Sequence, residues 1–300
     1  MVGDGLRRRG RVAAALVAAA LVACAAPPAV AYTLLPLTTE EARTLPSGTA
    51  EAVLGVAYFH NGRFPPFTPP GALRSQELVA APQFRFHIAA GSWAEIQASY
   101  ETLYLDEEST GGQHNWQFGS GDMRIFTKVH IINEREFFPG IGLRFGTKLP
   151  NANRRDRLGT DDTDFGADAL VSKDLGPLSA HLNLGLLLLG NSGPLIGNSF
   201  RAGGQDDMVD YAVGVESAPL TGSAATTVVR LLAEIAGQGN SHFNNDRSVA
   251  RVGLQAQRGR LTFYAAVDAG LVTGSEDVGA NAGVVYTFRP AELLHADGLP

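Results

Sequence analysis

The sequence is poor in cysteine, tryptophan and methionine, with one, two and three among 300 residues. The one cysteine, Cys24, lies in an N-terminal apolar run. No disulfide framework or cysteine-ligated metal is therefore possible beyond it. The seven histidines are dispersed without metal-ligand spacing, so no metal or other cofactor is expected. After residue 31 no apolar run is long enough for a membrane-spanning helix. Any insertion into a bilayer must then be by a closed barrel, which alone besides the helix satisfies its backbone in lipid. The net charge is −6. The first 31 residues carry four arginines and one aspartate, so the remainder carries −9. An acidic chain of this kind argues against a nucleic-acid partner.

What is present begins with a secretion signal. Arg7, Arg8, Arg9 and Arg11 precede an apolar stretch from Val12 to Ala26. Ala29-Val30-Ala31 fits the small-x-small cleavage rule. The competing site is a lipoprotein box, Leu21-Val22-Ala23-Cys24, which would lipidate Cys24. Residues 32–47 read as a periplasmic lead-in, 48–288 as the barrel, and 289–300 as a C-terminal tail.

Glycine is abundant at 35 residues and mean hydropathy is zero. Alternation of apolar and polar residues produces that balance. It is clearest between Gly140 and Gly185. Ile141, Leu143, Phe145, Thr147 and Leu149 share one face; Gly142, Arg144, Gly146 and Lys148 share the other. Leu178, Ala180, Leu182, Leu184 and Leu186 alternate with Ser179, His181, Asn183 and Gly185. About 12 such segments start near Glu51, Glu77, Trp93, Gly121, Gly140, Asp164, Leu178, Asp207, Thr226, Arg247, Leu261 and Val278. Short turns at Gly91-Ser92, Leu175-Gly176-Pro177 and Arg258-Gly259-Arg260 alternate with long polar loops. Short periplasmic turns and long external loops are the outer-membrane pattern. The expected fold is all-β: a transmembrane antiparallel up-and-down β-barrel in the outer membrane of a Gram-negative-type bacterium.

The order GTKLPN, Gly-Thr-Asp-Asp-Thr-Asp-Phe-Gly, SKDLG and HLNLG resembles the outer-membrane transporter family named for the MetA pathway of phenol degradation. The resemblance covers about Ser47 to Phe288, and its motifs are structural. It implies passage of small solutes, with a link to aromatic or hydrophobic compounds. The last strand ends on Phe288, similar to the signal read by the barrel-assembly machinery. The other expected partners are outer-membrane lipid and a small-molecule solute.

The inward faces carry Arg85, Arg124, Lys128, Arg144, Lys148, Arg230 and Arg251 against Glu95, Glu101, Asp168, Asp210, Glu216, Glu234 and Asp268. These, with His181 and Asn183, are the candidates for lining a narrow aqueous path and setting its selectivity. Charge reversal at Arg144 and Lys148 is expected to alter that selectivity. The alternative is a salt-bridge network filling the barrel, in a protein of structural or surface-interaction role. With Ser172, His181 and Asn183 would suggest a membrane-embedded lipid hydrolase. No nucleophile is fixed beside His181 by sequence, so the chain is expected not to be an enzyme. Asp161, Asp162 and Asp164 lack the spacing of a calcium loop, and Arg154, Arg155 and Arg157 read as a solvated external loop facing anionic lipid.

Overall fold

A computed structural model describes residues 33–61, 73–156, 158–159, 161–190, 207–221, 225–239 and 246–292. The signal and both of its cleavage sites lie outside these residues. So do Arg157 and the tail from residue 293.

Thirteen strands are seen among the described residues. They are β1 (Ala50–His60), β2 (Leu73–Ala90), β3 (Ala94–Ser109), β4 (His114–Ser120), β5 (Met123–Ile132), β6 (Gly140–Leu149), β7 (Asp164–Asp174), β8 (Leu178–Leu188), β9 (Met208–Ser217), β10 (Val228–Gly239), β11 (Arg247–Arg258), β12 (Leu261–Gly270) and β13 (Val278–Phe288). All pair antiparallel. β1 joins β13 and β2 joins β3, so the sheet closes into a 12-stranded barrel, with β4 a further segment paired to β3.

β4 is the main departure from the sequence reading, which placed a loop there. β3 is 16 residues long. Its first half, Ala94 to Ser99, pairs with β5. Its second half, Thr102 to Glu108, pairs with β4. β4 and β5 thus run as two successive pieces of one wall strand, interrupted at Gly121-Asp122. The polar residues of Asp106-Glu107-Glu108 mask this extension, because a strand beyond the lipid layer needs no apolar face.

The wall alternates as the sequence requires. Along β8, His181 and Asn183 are buried while Leu182, Leu184, Leu186 and Leu188 stand about half-exposed on the outside. Phe84, Phe86, Phe145, Phe263 and Val267 continue this apolar exterior. A soluble protein seldom exposes so large a continuous apolar surface, but hydrocarbon matches it. Trp93, Phe137 and Phe138 are highly exposed at the short-turn end. At the other end Tyr104 packs on Trp116 at 5.2 Å between ring centres. These rings fit the two interfacial girdles of a membrane barrel. Gly91, Gly176 and Gly259 occupy the short turns with φ of 81°, 88° and 61°, a region that a side chain disfavours.

Residues 33–46 overturn the expectation of a periplasmic lead-in. They run inside the barrel. Leu34, Leu35, Leu37, Ala42 and Leu45 are all buried. Leu34 and Leu37 pack on inward-facing Leu232, and Leu35 packs on Val53, Tyr264 and Val285. The physical reason is a mixed composition: four leucines seek cover, and the polar residues between them find partners on the lumen wall.

Candidate functional site: the lumen and its plug

An extended segment inside a barrel has no neighbouring strand to satisfy its backbone, so side chains must do it. Here inward residues of β3, β5, β7, β8, β10 and β11 take that role. The amides of Thr38 and Thr39 donate to the Glu234 carboxylate at 2.9 Å each. The amide of Glu40 donates to Asn183 Oδ1 at 2.6 Å, and Asn183 Nδ2 donates back to the Glu40 carbonyl at 2.9 Å. The Ala42 amide donates to Ser172 Oγ at 2.9 Å, and its carbonyl meets His130 Nδ1 at 3.0 Å. The Leu45 amide donates to Glu95 at 2.8 Å. Gln255 Nε2 donates to the carbonyls of Thr33 and Leu35.

Two ionic groups anchor this segment. Arg251 Nη1 donates to Glu234 at 2.8 Å and to the Pro36 carbonyl at 3.1 Å, while its other nitrogens clasp Asp268. All three charged side chains are buried. Lys128 lies 3.2 Å from Glu40 and 3.4 Å from Glu95. Burial pushes the Glu40 carboxyl up. Lys128, Arg144 and His87 pull it down further, to about 2, so it is ionised at neutral pH.

Inward glycines make the room. A Cβ on Gly142 would stand 2.7 Å from the Ala42 carbonyl oxygen, one on Gly214 2.8 Å from Thr39 Oγ1, and one on Gly253 2.6 Å from Pro36. Each is too close for a real side chain, so these positions admit only glycine while the plug is seated.

Beyond the plug lies a cavity of about 800 Å³. Thr33 to Glu40 contribute to its floor, and its wall reaches Leu189, Met208, Gln238 and Arg247 at the long-loop ends of the strands. Its charges are mostly paired. Lys148 sits 3.3 Å from Asp122 and 2.6 Å from Asp164. Arg144 lies 3.0 Å from Asp168 and 3.9 Å above the Phe126 ring. Arg124 reaches Glu101 at 3.5 Å.

The COG4313 outer membrane channel of Pseudomonas putida F1 superposes with a TM-score of 0.59 at 12% identity, over 84% of this chain and 100% of the other. The translocator domain of the autotransporter NalP from Neisseria meningitidis gives 0.50 at 12% identity, over 94% and 95%. The barrel fold is shared with an outer membrane channel. At such identity the likeness concerns the fold. No protein-family model and no curated protein matches the sequence.

The selectivity candidates separate into distinct groups. Glu95, Lys128, Asn183, Glu234 and Arg251 hold the plug or its ion pairs. Asp268 supports Arg251. Arg85, Glu101, Arg124, Arg144, Lys148 and Asp168 line the cavity. Arg230 faces inward on β10, its Nη1 at 3.5 Å from Gln257. His181 reaches Ser172, the contact that sequence could not establish: Ser172 Oγ and His181 Nδ1 are 2.9 Å apart across β7 and β8, with Glu216 3.8 Å from Nε2. Both residues are buried, and Ser172 Oγ is engaged by the plug amide. The pair therefore faces the plug backbone. Asp164 is held by Lys148 and by the Gly190 amide. Among the described residues no three acidic, histidine or cysteine side chains are grouped to hold a metal.

The sequence reading missed Glu40, Thr38, Thr39 and the three lumen glycines. A signal was there: glycine at inward positions of β6, β9 and β11 marks a close approach by another backbone.

These pairs set an expectation for charge reversal. Arg144→Glu would place a third carboxylate beside Asp168 and Asp210. Its first effect should be a loss of about 1–3 kcal/mol in barrel stability, read as an earlier heat-induced shift on a gel. Arg144→Gln should lose less, because no like charge is added.

Proposed function

We propose that this chain is an outer-membrane channel for passive passage of small solutes, with residues 33–46 as its plug. One observation carries the reading: a cavity of about 800 Å³ inside a closed barrel ends on a segment held only by hydrogen bonds, ion pairs and apolar contacts. A permanent filling would need no cavity above it, and non-covalent anchors allow displacement. The fold likeness to an outer membrane channel supports this reading. The short-turn end belongs in the periplasm and the long loops outside, with the apolar wall against lipid. The secretion signal and the aromatic ending at Phe288 fit export and assembly into the outer membrane. Aromatic or hydrophobic solutes are the class that the family resemblance of this chain implies. Phe126, Leu187 and Met208 in the cavity are compatible with an apolar body.

The test is conductance of the refolded protein in a planar bilayer, after a heat-modifiable gel shift has established folding. The intact chain should be closed for most of the record with brief ion-conducting openings. A folded barrel that stays silent even when the plug is removed would overturn the channel reading. It would favour a filled barrel with a structural or surface-interaction role.

A further inference from the structure

One row of the lumen wall differs from the rows beside it. Phe126, Gly146, Gly166, Leu187 and Met208 stand opposite one another in turn across β5, β6, β7, β8 and β9. None of them is charged. The row on the short-turn side is Lys128, Arg144, Asp168, Gly185 and Asp210. The row on the long-loop side is Arg124, Lys148 and Asp164. An apolar band thus crosses the wall between two charged ones.

The charged rows are occupied with each other. Arg144 donates to Asp168 at 3.0 Å and to Gln97 at 2.9 Å, and Asp210 is hydrogen-bonded to Asp168. Lys148 lies between Asp122 and Asp164. An anionic solute at the band would have to take Arg144 or Lys148 from its carboxylates, and a cationic one would have to take the carboxylates. Either exchange strands a charge in a space of low dielectric. The band therefore suits an uncharged solute.

Its two glycines give it shape. Phe126 leans across Gly146, where a Cβ would stand 2.7 Å from Phe126 Cγ. Arg144 Cζ sits 3.9 Å from the ring centre and covers ring face. Toward Gly166 the ring turns its edge: Cε1 and Cζ lie 3.3 and 3.5 Å from where a Cβ would be. Leu187 Cδ1 bounds the same notch at 3.7 Å. Taken end to end, these distances keep Phe126 Cε1 and Leu187 Cδ1 within 7.0 Å of each other, so one ring above Gly166 touches both. Phe126, Gly166, Leu187 and Met208 all line the cavity, so the notch opens into it. An aromatic edge is electropositive and an aromatic face electronegative. A solute ring that turns its face to Phe126 gains an edge-to-face contact that a saturated ring of the same size lacks.

We propose that the notch over Gly166, between the Phe126 edge and Leu187, is a binding site for one uncharged aromatic ring. The site rests on the channel reading for its purpose, since it would select what the pore admits.

The test is equilibrium dialysis of the folded, detergent-solubilised full chain against a micelle-only blank. The probes are benzyl alcohol, cyclohexylmethanol, benzoate and benzylamine. Benzyl alcohol should bind about three- to tenfold tighter than cyclohexylmethanol, and about tenfold or more tighter than either charged probe. Gly166→Val fills the notch and should abolish the binding. Phe126→Leu keeps the notch apolar and should remove the preference for the aromatic ring over the saturated one. Both variants should keep the wild-type gel shift; if Gly166→Val does not fold, Phe126→Leu decides alone. No binding of benzyl alcohol, equal binding of the four probes, or an unchanged aromatic preference in folded Phe126→Leu would overturn the proposal. Dialysis reads the notch without requiring passage. A barrel that binds benzyl alcohol but never conducts would keep this site and lose the channel reading; one that conducts without binding would lose the site alone.

Discussion

Deleting residues 33–46 is expected to turn a mostly closed protein into a steadily conducting one. The barrel should survive the deletion. Its 12-strand ladder closes without the segment, and none of its strand pairings uses a plug backbone group. The groups left behind are polar: Glu234, Asn183, Ser172, Glu95 and Gln255 lose their plug partners. Water entering the emptied half of the lumen can replace those bonds at small net cost. The lost apolar contacts are confined to the leucine clusters with Leu232, Val53, Tyr264 and Val285. Single-channel recording would show long, uniform open steps in place of rare brief ones, while the heat-modifiable shift persists. An independent route should give the same result. Gly142→Val and Gly253→Val place side-chain atoms where Ala42 and Pro36 now sit, so the double variant should expel the plug without shortening the chain. If both proteins fold and neither conducts, the segment is not the barrier.

The second large effect concerns Arg251. Its guanidinium contacts Glu234, Asp268 and the Pro36 carbonyl, and the three charged side chains are almost wholly removed from solvent. Arg251→Ala would leave two buried carboxylates on neighbouring strands without their cation. Breaking a buried ion pair by removing one partner costs about 3–5 kcal/mol. The expected result is a marked fall in urea resistance, followed by the gel shift, with plug release before global unfolding because Glu234 also holds Thr38 and Thr39. Arg251→Ala combined with Glu234→Gln and Asp268→Asn should recover most of the loss, since no uncompensated charge then remains. A single variant as stable as the parent would mean that water already reaches this cluster.

These expectations show how unevenly the chain could be read. Strand positions were legible because side-chain alternation has period two and lipid imposes apolarity on every outward residue; β8 and β12 declare themselves this way. β4 was not, since it continues the wall past the hydrocarbon layer, where lipid no longer enforces strict alternation. The lumen charges were legible as inward-facing, but their partners were not. Register alone pairs Arg251 with Asp268 and Glu234 in one row; Lys128 contacts Glu40, from a segment 88 residues away. The plug itself was hidden because Thr-Leu-Leu-Pro-Leu-Thr-Thr has neither strand nor helix period. Its place depends on what the closed wall offers to its backbone.

The sequence by itself determined a closed membrane barrel, for two physical reasons. Strand side chains must alternate, and a backbone in lipid must be fully paired. Only the tertiary structure decided which lumen charges pair with one another, which hold the N-terminal segment, and that this segment sits inside. Those outcomes depend on closure of the ring, which brings strands distant in sequence around one space and makes hydrogen-bond satisfaction there a question of fit.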